Sequence, residues 1–385
     1  MTDTPRLGLY IHWPYCAHIC PYCDFNVYRP KGDTDALLTA IMKDMTAWRE
    51  RTGARRLSSV HFGGGTPSLL EPGQLSALID HAAGLWGLAS NAEIGLEANP
   101  NDAARFTDFR AAGLNRLSLG IQSFDDDVLK RLGRDHNARG AIDAIRLAQQ
   151  VFDEISIDLI YAWAGQSLDH WHEELKTAIA TGAGHLSPYQ LTIEPRTAFG
   201  KRAERGERLA LEPDDAADFY ALTETVCAEA GFAPYEISNL ARSTHAQSRH
   251  NRLYWDGDDW IGVGPGAHGR LGSHSGAGRY ATEAQRRPSD YIKAIETAGD
   301  GVIAWARLSA ADELAERILM GMRVQTGLDR ERLIALTGFD IDLEGAQKMS
   351  ELGLVEREGH HIRLTREGRA LADGVSSELV PALDD

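Results

Sequence analysis

The sequence predicts an α/β chain built on a parallel sheet with crossover helices, followed by a C-terminal helical module of winged-helix order. Three observations carry this expectation. Apolar runs ending in Gly or polar turns alternate with segments of helical periodicity six times before about residue 193. Chemically unusual residues gather just after the ends of those runs, the edge where parallel α/β sheets bind ligands. From about residue 307 the pattern changes to successive helices and a short hairpin. Both a doubly wound sheet and a partial (β/α) barrel fit the first two observations.

Taken in order, LGLYIHW (7–13) leads into a cysteine-rich stretch, SSVHFGGG (58–65) into GGGTP, and EIGLEAN (93–99) into EANP. RLSLGIQS (116–123) leads into GIQSF, EISIDLIYA (154–162) ends in DLIYA, and HLSPYQLTI (185–193) closes the series. DALLTAIMKDMTAWRE, GQLSALIDHAAGLW, ARGAIDAIRLAQQV and WHEELKTAIA supply the intervening helical periodicity. A long amphipathic helix over 214–231 carries Cys227, for which core packing is the expected role. A stretch rich in Gly, His and aromatics follows at 250–280. GLVEREGHHIRLTREGRALADGV then reads as two short strands joined by a turn and closed by a helix. The expected divisions are 1–235, a connecting segment 236–305, and 306–385.

Composition narrows the function. In 385 residues, 43% hydrophobic and 25% charged content argues against disorder, and no apolar run approaches the ~20 residues of a membrane span. A formal charge of −16 excludes a general nucleic-acid binder, and the C-terminal module lacks a clearly basic recognition helix. The first residues show no basic region followed by an apolar one, so the expected address is the cytoplasm. Four cysteines in a reducing compartment point to metal binding, catalysis or burial rather than disulfides.

Three of them, Cys16, Cys20 and Cys23, form C-x3-C-x2-C in YIHWPYCAHICPYCDFNVY. Zinc would need a fourth ligand such as His12 or His18. Soft thiolates at this density also suit an iron-sulfur cluster, and three of them would leave one iron of a [4Fe-4S] cluster open. Gly64, Gly65 and Thr66 follow a strand, where the absence of Cβ lets backbone approach a ligand. Tyr22 sits between two of the cysteines, where its ring either packs or covers an adenine. Glu97, Gln122 and Asp158 end apolar strands, placed either to cap the next helix or to bond ribose hydroxyls and the methionine end of a nucleoside ligand.

With these motifs in this order, the chain resembles the radical S-adenosylmethionine (SAM) superfamily, and nearly all of it resembles the oxygen-independent coproporphyrinogen III oxidase family. The resemblance implies a partial (β/α)6 TIM-like barrel with a C-terminal winged-helix-like subdomain. It also implies a [4Fe-4S] cluster on Cys16, Cys20 and Cys23 whose open iron takes SAM, the radical chemistry belonging to the cofactor. The family's SAM contacts carry over onto Tyr10, Gly64, Gly65, Thr66, Glu97, Gln122, Arg134 and Asp158. Arg134, in KRLGRDHN, would otherwise read as a solvated cation at a helix end.

Two departures from the decarboxylating oxidase stand out. Its cysteine motif continues to a fourth Cys two positions after the third, and here that position is Phe25. HNRLYW, with His250, Asn251, Tyr254 and Trp255, matches the haem-associated motif of a sister branch of haem chaperones. That branch implies haem as cargo bound through His250, with haem-accepting respiratory proteins as partners and membrane contact only through them. The alternative implied by the oxidase branch is decarboxylation of coproporphyrinogen III to protoporphyrinogen IX. Residue 250 lies far along the chain from the cysteines, so His250 is expected to be independent of the SAM site. In YAWAGQS, Ala162, Trp163 and Ala164 replace the family's Gly and Pro neighbours, which places bulk near the SAM edge.

Overall fold

The structure is a computed structural model that describes residues 6–30, 34–272 and 278–382. Six parallel strands form its centre: β1 (Leu7–Trp13), β2 (Leu57–Gly64), β3 (Leu88–Ala98), β4 (Arg116–Gln122), β5 (Glu154–Tyr161) and β6 (His185–Gln190). They lie side by side in chain order. A doubly wound sheet reverses direction at a switch point, and β1 to β6 have none. The partial barrel is therefore the architecture.

The crossovers are α1 (Thr34–Thr52), α2 (Pro72–Trp86), α3 (Phe106–Ala111), α4 (Asp126–Arg131), α5 (Ala138–Val151) and α6 (Leu168–Ala180). Polar residues fix where several begin, because a side-chain oxygen satisfies amides the first turn leaves unpaired. Asp125 accepts from Asp127 N and Val128 N, Asn137 from Gly140 N, and Ser167 from His170 N.

Side chains alternate across each strand. Leu9, Ile11, Val60, Phe62, Leu96, Leu117, Leu119, Ile157 and Leu159 face the helices and belong to one buried core. Their neighbours in sequence, including Tyr10, His12, Ser59, His61, Glu93, Glu97, Ser118 and Asp158, turn into the barrel. Its lumen is accordingly polar.

After α7 (Ala198–Ala203) and α8 (Pro213–Glu229), the short strands β7 (Ala233–Pro234) and β8 (Leu240–Ala241) extend the sheet beyond β6. Helix α9 (Arg249–Trp255) follows. Strand β9 (Asp259–Val263) pairs in parallel with β1, and β10 (His268–Leu271), β11 (Tyr280–Ala284) and β12 (Val302–Arg307) continue outward antiparallel. Helix α10 (Pro288–Ala298) packs between β11 and β12 in sequence and against α1 in space. Residues 236–305 thus add strands to the barrel sheet itself.

The C-terminal part comprises α11 (Ala310–Met322), β13 (Leu328–Asp329), α12 (Arg330–Thr337), α13 (Leu343–Glu351), β14 (Val355–Glu358), β15 (His361–Leu364), α14 (Arg366–Arg369) and α15 (Ala372–Glu378). Leu314, Ile318, Leu333, Ala346, Ile362 and Leu379 anchor a core of its own. Arg369 to Glu224 at 2.7 Å, and Arg270 and Arg279 to Glu316 at 2.8 and 3.0 Å, tie it to the barrel side. No described helix is long and apolar enough to cross a membrane.

Candidate cofactor site

A cleft of about 410 Å³ opens at the carboxyl ends of the barrel strands. Cys16, Cys20 and Cys23 line it together with Tyr22, Gly64, Gly65 and Thr66. Glu97, Gln122, Arg134 and Asp158 complete the set, so the structure gathers these eleven sequence-selected residues in one place. Tyr10 and His250 are not among its lining residues.

The donor set suits a polynuclear iron-sulfur cluster. A cluster presents separate irons to separate thiolates, and the three cysteines lining this cleft match a [4Fe-4S] cluster with one iron left open. Arg134 Nη1 donates to Cys20 Sγ at 3.3 Å, while Nη2 donates to Asn99 Oδ1 at 2.6 Å and Gly120 O at 3.0 Å. Its Nε is buried without a partner among the described residues. A guanidinium fixed against sulfur stabilises negative charge there. Burial pushes the Cys23 thiol up to about 11 and raises that of Cys16, so binding a metal at neutral pH must displace protons from them.

The glycine motif works differently from its sequence reading. A Cβ on Gly65 would meet Tyr15 O at 2.7 Å and Trp13 O at 2.9 Å; one on Gly64, where φ is +106°, would meet the His12 ring at 2.5 Å. These glycines therefore let β2 close against β1 and the start of the cysteine loop. Gly65 N–H donates to Trp13 O and Thr66 N–H to Tyr15 O, which anchors that loop. Glu97 reaches into the cleft between two donors: Gly64 N–H bonds Oε2 at 3.2 Å and His61 Nε2–H bonds Oε1 at 3.3 Å.

Gln122 adopts φ +67°, a left-handed conformation that non-glycine residues take at a cost where surrounding structure enforces it. A Cβ on Gly120 would lie 2.9 Å from Gln122 Nε2 and 3.3 Å from Arg134 Nη2, so that glycine makes room for both side chains. Asp158 accepts from Ser118 Oγ at 3.2 and 3.1 Å. Burial, reinforced by the Glu97 charge, pushes its carboxyl up to about 7 despite the serine hydroxyls. Tyr22 packs against Phe199 at 6.3 Å between ring centres.

Tyr10 lies below the cleft, its hydroxyl 3.0 Å from His12 Nδ1. His250 lies deeper. It is 1% exposed, its Nδ1 shares a 2.8 Å hydrogen bond with Ser59 Oγ, and its Nε2 shares one of 2.6 Å with Tyr254 OH. With both nitrogens engaged inside the barrel, it offers no iron ligand as the chain stands. Its separation in sequence also misleads, because α9 folds back as the barrel floor. Glu93 accepts from Ser248 Oγ, Arg249 N and His250 N, and pairs with Arg116 at 3.6 Å. The His250 ring stacks 4.9 Å from His61, the residue that donates to Glu97.

Residues 10–178 match the model of the radical SAM superfamily, and 308–371 that of the HemN C-terminal domain. "Heme chaperone HemW" of Mycobacterium tuberculosis is 36% identical over 97% of this chain and 94% of its own length. "Heme chaperone HemW" of Escherichia coli K12 is 36% identical over 89% of each chain. The chain belongs to the HemW family of radical SAM proteins. "Radical S-adenosyl methionine domain-containing protein 1, mitochondrial" of Bos taurus is 37% identical over 99% of this chain and 88% of its own. Coproporphyrinogen III oxidase (HemN) from Escherichia coli has the same fold, with a TM-score of 0.83 over 98% of this chain and 91% of that one, at 22% identity.

In this HemW-family chain the YAWAGQS departure leaves the cleft clear. Ala162 takes φ +61°, and its N–H donates to Gln166 Oε1 at 2.6 Å. That turn sends Trp163 into a small core with Ile160, Leu191 and Phe199, under the Arg131 guanidinium. Cys227 is fully buried in the main core. His61 is the residue that sequence reasoning missed. The signal was a lone imidazole between Val60 and Phe62 of β2, two residues before the glycines.

Proposed function

We propose that this chain binds haem and delivers it to haem-dependent respiratory proteins, holding a [4Fe-4S] cluster on Cys16, Cys20 and Cys23 and SAM in the cleft beside them. The observation that carries the choice over coproporphyrinogen decarboxylation is Phe25. It occupies the position of the oxidase motif's fourth cysteine, lies at the cleft and is 61% exposed. Ile19, another cleft residue, is 37% exposed and Tyr189 42%, so the mouth offers apolar and aromatic surface to a flat macrocycle. The relatives named as haem chaperones match at 32 to 36% identity. The neighbour named as the oxidase, at 22%, supports the fold alone.

The chain's own residues divide the work. Three thiols hold the cluster while Arg134 holds its charge; Glu97, Gln122 and Asp158 bind and orient SAM at the strand ends. Bound there, the cluster would supply the electron for SAM cleavage. His250 is not the axial ligand in this reading, because it is enclosed and doubly hydrogen-bonded.

The test is an optical haem titration of the anaerobically reconstituted chain, beside a coproporphyrinogen decarboxylation assay. The proposal expects saturable haem binding with a defined axial-ligand spectrum and no protoporphyrinogen. Haem binding no tighter than to an unrelated acidic protein, together with robust decarboxylation, would replace it with the oxidase reading.

A further inference from the structure

His61, half-buried, and His250, fully buried, stack directly under the cleft. The His61 ring lies nearly parallel to His250, at 15° and 4.9 Å, and to Tyr10, at 14° and 6.3 Å. Its Nε2–H bond to Glu97 is its one hydrogen bond among the described residues, since Nδ1 is buried without a partner. The ring is therefore located by its faces. His250, fixed at both nitrogens, supplies the rigid face.

Glycines around the stack show that its space is built in. A Cβ on Gly95 would come within 2.8 Å of His61 Nδ1. One on Gly63 would come within 2.9 Å of both Glu97 Oε1 and the Tyr10 ring. One on Gly8 would press on Leu253 of α9 at 3.0 Å and Ser59 Oγ at 3.1 Å. Three strands thus omit side chains where they would displace the rings, the carboxylate or the helix that carries His250.

We propose that His61 is a positioning residue that sets the Glu97 carboxylate for SAM, and that His250 of the HNRLYW segment is the support that holds His61 in place. The inference rests on reading the cleft as the SAM site. Without His61, Glu97 keeps one of its two donors, Gly64 N–H, and its side chain, 39% exposed, is free to turn. A carboxylate orientated in advance binds more tightly, because its ordering cost is already met. The HNRLYW segment then acts on the cofactor site from below, without touching the cofactor.

The experiment measures SAM affinity of the reconstituted full-length chain through the change SAM makes in the spectrum of the reduced cluster. His61→Phe keeps a ring in the stack but removes the donor; binding should weaken about tenfold or more, the range expected for a lost charge-assisted hydrogen bond. Iron content should stay unchanged. His61→Gln restores an amide donor and should recover part of the loss. His250→Ala should weaken binding in the same direction, and His250→Phe, which keeps the supporting face, should weaken it less. A double-mutant cycle with Glu97→Gln separates positioning from general damage: the two losses should be strongly non-additive. Equal SAM binding by wild type and His61→Phe, or additive losses in the cycle, overturns the positioning role alone. Failure of the wild type to bind SAM overturns both this inference and the site reading.

Discussion

At position 250 a neutral imidazole is enclosed by the protein, and burial, with the adjacent His61, holds its pKa well below the ordinary histidine value. A folded pKa below the unfolded one means that the unfolded chain binds the extra proton first on acidification. The contribution of His250 to stability is present above about pH 6.5 and falls below it, by up to about 1.4 kcal/mol per pH unit. Asp158 and Glu236, both pushed up to about 7 by burial, work in the opposite sense, so the total slope is not diagnostic. The comparison is: between pH 7 and 5.5 the melting temperature of His250→Gln should change less steeply in the destabilising direction than that of wild type. Parallel curves would mean that His250 takes up its proton in the fold. Asp158 yields a second expectation. If its carboxylate receives SAM, affinity should fall as pH drops through about 7, and Asp158→Asn should abolish that dependence in a binding titration. The cysteine triple was legible in the sequence because its ligands are local. His61 was not, because its meaning comes from partners on β3 and α9.

The strands of the barrel show what patterning can reveal. Parallel strands covered on both faces read as continuous apolar runs. Here LGLYIH, SVHFG, RLSLGIQ and ISIDL alternate instead, with apolar residues toward the helices and polar or glycine residues toward the lumen. That alternation favours a barrel around a polar cavity over a doubly wound sheet, and the six strand-helix units were legible for the same reason. The place of α9 was not legible, since seven residues carry too little periodicity to name the surface they cover. Glu93 decides it by accepting three hydrogen bonds from the start of the helix while paired with buried Arg116. Glu93→Gln leaves Arg116 without its counter-charge and should cost about 3 kcal/mol in urea unfolding. A loss below about 1 kcal/mol would mean that α9 is held chiefly by Leu253 and its apolar contacts.

Across the whole molecule, one sheet runs from β12 through the barrel to β7, and a separately cored C-terminal part leans on it through Glu224 and Glu316. The change of pattern near residue 307 marked that second core, whereas nothing in composition marks the pairing of β9 with β1. Such a fold serves several chemistries, and the site separates them. The cluster reading predicts about four irons per chain after anaerobic reconstitution. Cys16→Ser, Cys20→Ser or Cys23→Ser should abolish them, while Cys227→Ser, buried in the main core, should retain them. Iron loss in the last variant would place the ligands wrongly. Haem delivery is probed best by transfer itself. The haem-loaded chain is mixed with a haem-free respiratory cytochrome, and the acceptor's optical spectrum is followed against a free-haem control. The acceptor should fill faster from the loaded chain than from free haem, at a rate that rises with the concentration of loaded chain. Filling no faster than from free haem, by a preparation that does convert coproporphyrinogen to protoporphyrinogen, would contradict it.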